Sequence, residues 1–509
     1  MFAKIEYKWK VLAAVVFGVF MIILDTTVVN VAFRTLSQEF KGDLNDAQWI
    51  VSIYVLSLGI TMPLAGFLAD RFGIKRMYIS GLALFVVGSF LCSEAPSLLW
   101  LIVARAVQGF GGGLAMPLGL PQIYRAFPPH EQGVALGYLG VALVVGPAVG
   151  PMLGGWLIDH GAWRWIFRIN LPIGLFGVAV ASWVLAEAPS DRRPQLDVLG
   201  LITEIIGFGA VLYAASLAAE RGWTAPEVER WFAIGGVGLA VFAAIQLWVA
   251  RDPLLDLRLF RHGVFVLASG IGYVTVLALF GAEFLMPVYL QALRGLTALE
   301  TGVRLLPMAA TAGVALPVAG RLYDRIGPRP LLVAGFSLLA YNTWQLADLK
   351  GDTSLTWIMA LLAIRGLALG LTVQTTMVTA LMVVPLSELP RASALVNSTR
   401  QVVQSIGVAV LATVLTSTLS PTVKAYQKAA LSRPHTGTGT FALCDPPATM
   451  PAVARYAIGE ACEQYVAGFA RAYTLTFQLT LVALALSVVV PGWPGAWTGR
   501  RGAPPPPAH

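Results

Sequence analysis

An eight-residue motif that occurs twice decides the fold of this chain. The sequence GFLADRFG at residues 66–73 returns as GRLYDRIG at residues 320–327, with Gly, Leu, Asp, Arg and Gly at identical spacing. Each copy stands at the end of an apolar stretch, which we expect to be the second of a group of six. The repeat therefore predicts two halves of six helices each, related by duplication.

The composition predicts that these helices cross a membrane. Of the 509 residues, 57% are hydrophobic and 12% are charged, and the mean hydropathy is +0.72, whereas a soluble domain carries roughly 25% charged residues. A spanning helix needs about 20 mainly apolar residues, so an all-α integral membrane protein is expected. Fourteen such stretches are predicted at 11–33, 47–69, 76–95, 98–121, 133–158, 165–187, 197–218, 230–250, 263–291, 301–320, 330–348, 354–383, 394–419 and 473–492.

Grouping these stretches around the repeat gives the domain organisation. We expect an N-terminal six-helix bundle over 1–189, two inserted transmembrane helices over 190–262 and a C-terminal six-helix bundle over 263–496. The C-terminal bundle includes a long outer loop at 420–472, and a disordered cytoplasmic tail follows at 497–509. Duplicated halves are a recurring plan of transporters, in which the substrate site lies between the halves near the membrane midplane.

The Lys and Arg residues behind the net charge of +8 follow a pattern from loop to loop along the sequence. Lys and Arg are concentrated in alternate short loops, such as the one with Arg71, Lys75 and Arg76, and are sparse in the loops between. The positive-inside rule places the basic loops in the cytoplasm, and an even span count returns both termini there. The basicity therefore indicates topology in a bacterial inner membrane and no nucleic-acid partner.

Four motifs follow one another along the first half. They are LDTTVVNVA at 24–32, GFLADRFGIKR at 66–76, LxxxRxxQGxGG at 101–112, and the fifth-span set Gly137, Gly146, Gly150, Pro151, Gly154 and Gly155. With these motifs the chain resembles the major facilitator superfamily, and within it the fourteen-span drug:proton antiporters of the EmrB/QacA-like multidrug efflux group. The span plan covers nearly the whole chain; Phe33-Arg34 departs from the Leu-Pro that is common in the family.

The resemblance implies a proton-coupled secondary exporter of small lipophilic, often cationic compounds, which works by alternating access. The expected partners are membrane lipids, the substrate and protons; a periplasmic adaptor is left open, and a functional monomer is expected. The alternative is a dedicated exporter of one metabolite, antibiotic or lipid on the same fold. No enzyme activity, cofactor or metal is expected, because the sequence has no G-x-x-x-x-G-K-[ST] phosphate loop and its five His residues show no ligand spacing. The energy source is then a proton gradient.

Two charged residues inside the spans of the first half are candidates for proton coupling. Asp25 in the first span and Arg105 in the fourth each lie roughly 10–12 Å below the same membrane face, at 1.5 Å per helical residue. They can therefore meet. A carboxylate inside hydrocarbon is costly and usually functional, which favours proton coupling; the alternative is a static ion pair.

The repeat places a similar pair in the second half. Glu283 lies in the ninth span, which corresponds to the first, and Arg365 lies in the twelfth, which corresponds to the fourth. An acid–Arg pair is therefore predicted in each half. Glu283 is expected to be a second proton or cation site, with a polar core contact as the alternative.

The repeated motif lies too near the inner surface to bind substrate. Its spacing predicts an ionic latch between helix ends, and the resemblance implies a gate that stabilises one access state; positive-inside anchoring is the alternative. The residues are Gly66, Asp70, Arg71, Gly73, Lys75 and Arg76, with Asp324 and Arg325 in the second copy. The fifth-span glycines allow close helix approach, and prolines there bend the helix, so that span is expected to pack tightly and hinge, with ordinary small-residue packing as the plainer interpretation.

Two further sets of residues are singled out. Polar side chains within the spans are predicted to line the substrate cavity, with interhelical hydrogen bonds as the alternative: Asn30, Gln108, Gln122, Gln374 and Asn397. In the outer loop, Cys444 and Cys462 lie on the oxidising side of the membrane, where a disulfide between them is expected to be stable; sequence alone does not test its geometry.

Overall fold

The computed structural model of the protein describes residues 6–40, 44–187, 194–423, 443–445 and 452–492. Within these ranges the regular elements are helices, and none is a strand. In chain order the α-helices are α1 (Tyr7–Glu39), α2 (Leu44–Phe72), α3 (Ile74–Ser93), α4 (Leu98–Ala126), α5 (Gln132–Asp159), α6 (Trp165–Arg168), α7 (Asn170–Val184), α8 (Val198–Arg221), α9 (Pro226–Ala244), α10 (Gly263–Val288), α11 (Ala298–Ile326), α12 (Pro328–Ala347), α13 (Leu355–Leu381), α14 (Leu389–Ser417) and α15 (Ala452–Val489).

Helices occupy all fourteen predicted positions, with α6 and α7 together at the sixth. Within the described residues, twelve helices are long and apolar enough to cross a membrane. The two remaining positions are α10, whose described apolar part is Gly263–Leu277, and α12, in which Asn342, Thr343 and Gln345 lower the mean hydropathy. Helices are the expected outcome, because hydrocarbon offers no partner to a backbone N–H or C=O group. The all-α membrane fold is confirmed, and the count of fourteen spans stays a prediction that these positions fit.

The last helix is longer than the span predicted at 473–492. Within the predicted outer loop at 420–472, the stretch 451–468 is one that could form an amphipathic helix by its sequence. Helix α15 begins at Ala452 and runs to Val489, so that stretch and the last span form one continuous helix. No proline interrupts this helix, and Tyr465 and Phe469 are buried in a cluster of the second half. Burial of that extra length explains why the helix starts early. The predicted domain boundary at 189/190 and the predicted tail at 497–509 lie outside the described residues.

The described part of the outer loop is tied to the second half. Cys444 forms the predicted disulfide with Cys462 of α15, which confirms that pairing. The backbone N–H of Cys444 also donates to the Leu293 carbonyl at 3.2 Å, and that of Leu443 donates to the Ala292 carbonyl at 3.2 Å. The loop is therefore fixed both to α15 and to the π-helical turn Tyr289–Leu293 that follows α10.

Two groups of helices form the body of the molecule. Helices α1–α7 pack on one another in the first half, and α10–α15 do so in the second. The halves meet mainly along two helix pairs, α5 with α11 and α2 with α14. The inserted helix α8 packs against both α2 and α14, whereas α9 packs on α8 and leaves apolar side chains such as Val237 exposed. The boundary between the halves therefore runs along the α5–α11 contact and the α2–α14 contact. We call the end of the molecule where α2 and α11 finish, and which carries both copies of the repeat, the motif end.

Candidate functional site

A buried carboxylate lies inside the first half. Asp25 on α1 is 1% exposed, and its Oδ2 lies 2.5 Å from Arg105 Nη1 on α4. Its Oδ1 accepts hydrogen bonds from Gln108 Nε2 at 2.8 Å and from Asn170 Nδ2, on α7, at 2.7 Å. Three helices thus converge on one carboxyl. We call Asp25, Arg105, Gln108 and Asn170 the Asp25 cluster.

The Arg105 guanidinium has partners on several sides. Its Nε donates to the Ile50 carbonyl at 3.1 Å, and its Nη1 also donates to Gln108 Oε1 at 2.7 Å. Its central carbon lies 4.0 Å from the ring centroid of Tyr54, where the ring quadrupole attracts a cation. Helix α2 therefore holds Arg105 in place for Asp25. The predicted meeting of Asp25 and Arg105 is confirmed as geometry, and its part in proton coupling stays a prediction.

The sequence of α4 explains how these groups come together. Arg105 and Gln108 are three residues apart, so they share one helix face. On the next residue, Gly109, a Cβ would lie 2.5 Å from the Tyr54 carbonyl oxygen, and on Gly88 of α3 a Cβ would lie 2.6 Å from Gln108 Cα. Glycines at both positions let α2 and α3 approach α4 closely enough for Arg105 to reach the α2 backbone.

The burial of the cluster restricts its proton chemistry. Asp25 and Arg105 carry opposite charges side by side, and both side chains are almost fully buried. If Asp25 took up a proton in this arrangement, the Arg105 charge would remain buried without its counter-charge, which costs several kcal/mol. Proton uptake by Asp25 therefore requires a rearrangement that gives Arg105 water or another acceptor.

Asp25 is separated from solvent by a thin layer of α1 and α2. Thr26 is half-buried, and its Oγ1 donates to the Tyr54 hydroxyl at 3.4 Å, while that hydroxyl donates to the Ile22 carbonyl at 3.3 Å. Asn30, one helical turn beyond Thr26, is exposed. Movement of Tyr54 or Thr26 would therefore shorten the route from solvent to the acid.

The second half places its buried arginine among polar side chains. Arg365 on α13 is 1% exposed, and its Nη1 donates to Asn342 Oδ1 on α12 at 3.3 Å, among other interactions. The Asn342 amide in turn donates to the Leu361 carbonyl at 2.7 Å. Glu283 lies within α10, but its side chain lies outside the described residues. The pairing of Glu283 with Arg365 stays a prediction.

The residues predicted to line a substrate cavity have different surroundings. Gln108 belongs to the Asp25 cluster, where both ends of its amide are engaged; this fits the alternative of an interhelical hydrogen bond, and its place in a cavity stays a prediction. Gln374 donates across the boundary to the Leu136 carbonyl at 3.0 Å, and Asn397 donates to the Ser393 carbonyl of its own helix at 2.8 Å. Gln122 is buried, and its Nε2 has no hydrogen-bond partner among the described residues.

The first copy of the repeated motif joins the two halves. Asp70 Oδ2, at the end of α2, accepts a hydrogen bond from Arg391 Nε of α14 at 2.6 Å, and both residues are buried. A Cβ on Gly66 would lie 2.9 Å from Arg391 Cα. The glycine therefore lets the start of α14 lie directly against α2, which brings the two charges into contact.

The other charged residues of this copy stay within the first half or reach the inserted segment. Arg71 Nη1 donates to the Pro194 carbonyl at 2.9 Å. The backbone N–H of Lys75 donates to Glu187 Oε1 at 3.3 Å, and Arg76 Nε lies 3.7 Å from Glu187 Oε2. Gly73 has φ +97° at the turn between α2 and α3, a conformation that glycine adopts without strain. Arg76 is largely exposed, so its ion pair contributes little.

The second copy joins the halves in the opposite direction. Asp324 of α11 accepts hydrogen bonds from the backbone N–H groups of Gly133 at 3.2 Å and Val134 at 3.3 Å, in the first turn of α5. An anion is favoured there, because unpaired N–H groups and the helix dipole give a helix N-terminus partial positive charge. Arg325 is exposed. The Asp of each copy thus binds the other half, and the motif end is closed.

The glycines of α5 face two different helices. Gly146, Gly150 and Gly154 lie against Ile23, Thr27 and Val28 of α1, and Thr27 Oγ1 donates to the Gly146 carbonyl at 3.3 Å. Gly137 lies against α11, where a Cβ would be 2.5 Å from the Leu316 carbonyl oxygen. Gly155 is buried, and the side chain of Pro151 lies outside the described residues. Helix α5 therefore links the helix that carries Asp25 to the boundary between the halves.

Sequence reasoning missed three residues of these sites. Asn170, Tyr54 and Arg391 complete the Asp25 cluster, its aromatic cover and the first latch. Asn170 is a polar residue inside the sixth predicted span, which is a signal of its own. A tyrosine within a span and an arginine at the start of one are both common, so the sequence does not single out Tyr54 or Arg391. Only the packing of the helices shows that they contact Arg105 and Asp70.

Comparisons with known proteins agree on one family. Residues 15–408 match the family described as the Major Facilitator Superfamily. An uncharacterized MFS-type transporter, YhcA of Bacillus subtilis, is 36% identical over 400 residues, covering 79% of this chain and 75% of its own. The multidrug resistance protein B homolog of Mycobacterium tuberculosis is 33% identical over 473 residues, covering 92% and 86%. The solved structure of the human organic anion transporter MFSD10 has the same fold, with a TM-score of 0.63 and 14% identity over 94% of this chain and 99% of its own.

Proposed function

Because the chain belongs to the major facilitator superfamily, we propose that it exports small lipophilic compounds, cationic ones among them, in exchange for protons. It is a multi-pass membrane transporter and not an enzyme. Drug efflux is supported by relatives that are named multidrug resistance proteins. Exchange for protons rests on the chemistry of the Asp25 cluster.

The buried Asp25–Arg105 pair is the observation that carries the proposal. In the arrangement described, Asp25 is ion-paired and closed to water. A proton from the far side of the membrane neutralises Asp25 only if Arg105 gains new partners, so protonation and rearrangement of α1, α2 and α4 occur together. Release of the proton to the cytoplasm restores the pair. One charge crossing 100 mV is worth about 2.3 kcal/mol, which drives export when it is coupled to a substrate step.

Alternating access provides the route for the substrate. The motif end is closed by Asp70–Arg391 and by Asp324 on the start of α5. Opening it separates α2 from α14 and moves α11 along α5, while the halves close at the other end. The substrate binds between the halves, near the midplane. Protonation of Asp25 biases the equilibrium between the two access states, because only one of them leaves the ion pair intact.

The orientation follows from the charges of the loops. With the motif end in the cytoplasm, its Arg and Lys residues obey the positive-inside rule, and both termini lie on that side of a bacterial inner membrane. Glu283, six residues beyond the described apolar part of α10, serves as a second proton site in this scheme. In this scheme the transporter works as a monomer among membrane lipids, and whether it uses a periplasmic adaptor stays open.

Substrate-induced pH change in proteoliposomes tests the proposal. With a proton gradient imposed, wild-type protein is expected to release protons when a lipophilic dye is added, and Asp25→Asn is expected to reduce this signal to background. Asp46→Asn, an exposed carboxylate at the start of α2, is the matched control and should behave as wild type. Uphill dye export that persists in Asp25→Asn would refute proton coupling through this acid. A panel of unrelated dyes and biocides separates broad export from a dedicated exporter, which ignores most of the panel.

A further inference from the structure

Arg400, inside the second half, has no carboxylate partner among the described residues. Arg400 lies about 16 Å along α14 from its first residue, at 1.5 Å per residue, which is close to the midplane of a hydrocarbon core about 30 Å thick. None of the ion pairs among the described residues includes Arg400. Arg105 and Arg391, in contrast, pair with Asp25 and Asp70. Because an arginine is always protonated in proteins, a positive charge stands here without a counter-charge from the described chain.

The groups around the Arg400 guanidinium are neutral. Its Nη2 donates to Thr376 Oγ1 at 3.1 Å and its Nη1 to Met377 Sδ at 3.4 Å, both on α13. On the α10 side, a Cβ on Gly272 would lie 3.1 Å from Nη2, so the glycine lets the guanidinium lie directly against α10. A guanidinium has five N–H donors, and a thioether is a weak acceptor. Much of its capacity to donate hydrogen bonds is therefore unused.

The position of Arg400 limits what can supply the missing acceptor. Arg400 is half-buried as a residue, and its guanidinium is the more enclosed part of it. On the motif-end side, α14 is sealed against the first half, where Ser393 Oγ donates to the Pro117 carbonyl at 2.7 Å and Arg391 pairs with Asp70. A lipid headgroup stays at the membrane surface, about 15 Å away from this depth. The acceptor must therefore be a molecule that enters between the halves, which is the expected path of the cargo.

We propose that Arg400 forms a subsite for an anionic group, specifically a carboxylate, on the exported molecule. This inference rests on the proposed export function and adds a substrate class to it. A carboxylate accepts two parallel N–H bonds from a guanidinium, and such charge-assisted bonds are stronger than neutral ones. The lipophilic remainder of the molecule lies along the apolar surfaces of α10, α13 and α14. Lipophilic acids and zwitterions are therefore bound through Arg400, whereas a permanent cation without an acid group gains nothing from it.

A pair of dyes that differ in one group tests the subsite. One is a xanthene dye with a free benzoate, and the other is its methyl ester. Binding of each to the purified protein in lipid nanodiscs is measured by fluorescence anisotropy, without any ion gradient. Arg400→Gln is expected to weaken binding of the free acid about 10-fold or more, the loss typical of a charged hydrogen-bonded pair, and to leave binding of the ester unchanged. Arg400→Lys, which keeps the charge but not the planar fork, should fall between wild type and Arg400→Gln.

The control is Arg304→Gln, which removes a half-buried arginine near the start of α11 that donates to the Glu300 carbonyl; it should leave both dyes unaffected. Three results overturn the proposal: no binding of the free acid to wild type, an equal loss for acid and ester, or no loss for either. Because no proton gradient is present, these results are independent of Asp25. Suppose that Asp25→Asn still exports uphill, while Arg400→Gln weakens binding of the free acid and leaves binding of the ester unchanged. The antiport scheme then fails and the subsite stands.

Discussion

Asp25 depends on neutral donors as well as on its charged partner. The Asn170 amide donates both to Asp25 Oδ1 at 2.7 Å and to Ser89 Oγ at 3.0 Å, and Ser89 donates to the Phe167 carbonyl at 2.9 Å. This chain connects the acid on α1 to α3 and to the short helix α6. The Asn170 amide therefore fixes the position of the Asp25 carboxylate and is itself uncharged. Loss of Asn170 therefore perturbs the acid without removing any charge from the cluster.

Asn170→Ala is expected to destabilise the protein by about 1–3 kcal/mol, because Asp25 and Ser89 each lose a buried hydrogen-bond partner. Transport should fall as well, and its pH profile should move, because the environment of Asp25 has changed. Thermal unfolding in detergent and dye export across a pH series measure the two effects. Ser182→Ala, on the same helix α7, is the control, since the Ser182 hydroxyl is exposed and donates to the Val178 carbonyl of its own helix. An Asn170→Ala protein with wild-type stability and an unmoved pH profile would show that this amide does not support the acid.

At the scale of elements, α5 is the helix on which both the acid and the half-to-half boundary depend. One part of it lies against α1 at Gly146, Gly150 and Gly154, and another lies against α11 at Gly137. Side chains at these positions would push the helices apart, because the atoms that they meet on α11 belong to the backbone and cannot move aside alone. The glycine spacing thus sets the distance between α1, α5 and α11. Movement of α11 along α5 is then the natural way for the halves to exchange access states.

Gly137→Ala is expected to cost about 1–3 kcal/mol of stability, the usual penalty of overpacking, since its Cβ would lie 2.5 Å from the Leu316 carbonyl and 2.9 Å from Pro317 Cα. Gly313→Ala, on α11 itself, is the matched control, because a Cβ there meets nothing within 4 Å. Alanine favours a helix over glycine by about 1 kcal/mol, so Gly313→Ala should be neutral or stabilising. The melting temperatures of the two variants in detergent measure this difference in stability. Equal behaviour of the two would mean that the α5–α11 contact is looser than described.

At the scale of the whole molecule, two latches of different chemistry close the motif end. One is a buried ion pair, Asp70 with Arg391, and the other is a carboxylate on a helix N-terminus, Asp324 on Gly133 and Val134. Each crosses between the halves, in opposite directions. The state described is therefore held by both copies of the duplicated motif, and opening this end breaks both latches together.

Arg391→Ala is expected to shift the equilibrium toward opening of the motif end. Breaking one partner of a buried pair typically costs about 3–5 kcal/mol, and a few kcal/mol are enough to invert a two-state population. Spin labels at Phe72 and Leu386, both exposed near this end, should show a longer distance distribution in the variant. Arg325→Ala, at an exposed arginine of the second copy, should leave the distances unchanged. If Arg391→Ala also leaves them unchanged, the ion pair does not hold this end closed.

The sequence by itself determined the membrane class, the helical fold, the duplication and the first-half acid with its arginine. These features are visible because hydrocarbon imposes long apolar helices and makes any charge within them conspicuous. The Cys444–Cys462 disulfide was also predictable as a candidate, since both cysteines lie in the one long outer loop that the sequence predicts. Such signals are local, and each is read from the residue type and its position along one helix.

Only the tertiary structure decided which side chains complete each site. Asp70 and Arg391 are 321 residues apart in sequence, and their contact depends on how α2 and α14 are rotated and how closely Gly66 lets them approach. The same is true of Asn170 and Tyr54 around Asp25, of the hydrogen bonds between Gln108 and the acid, and of the neutral groups that the described chain places beside Arg400. Helix rotation and contact are set by packing against several neighbours at once, and a one-dimensional pattern does not carry that information.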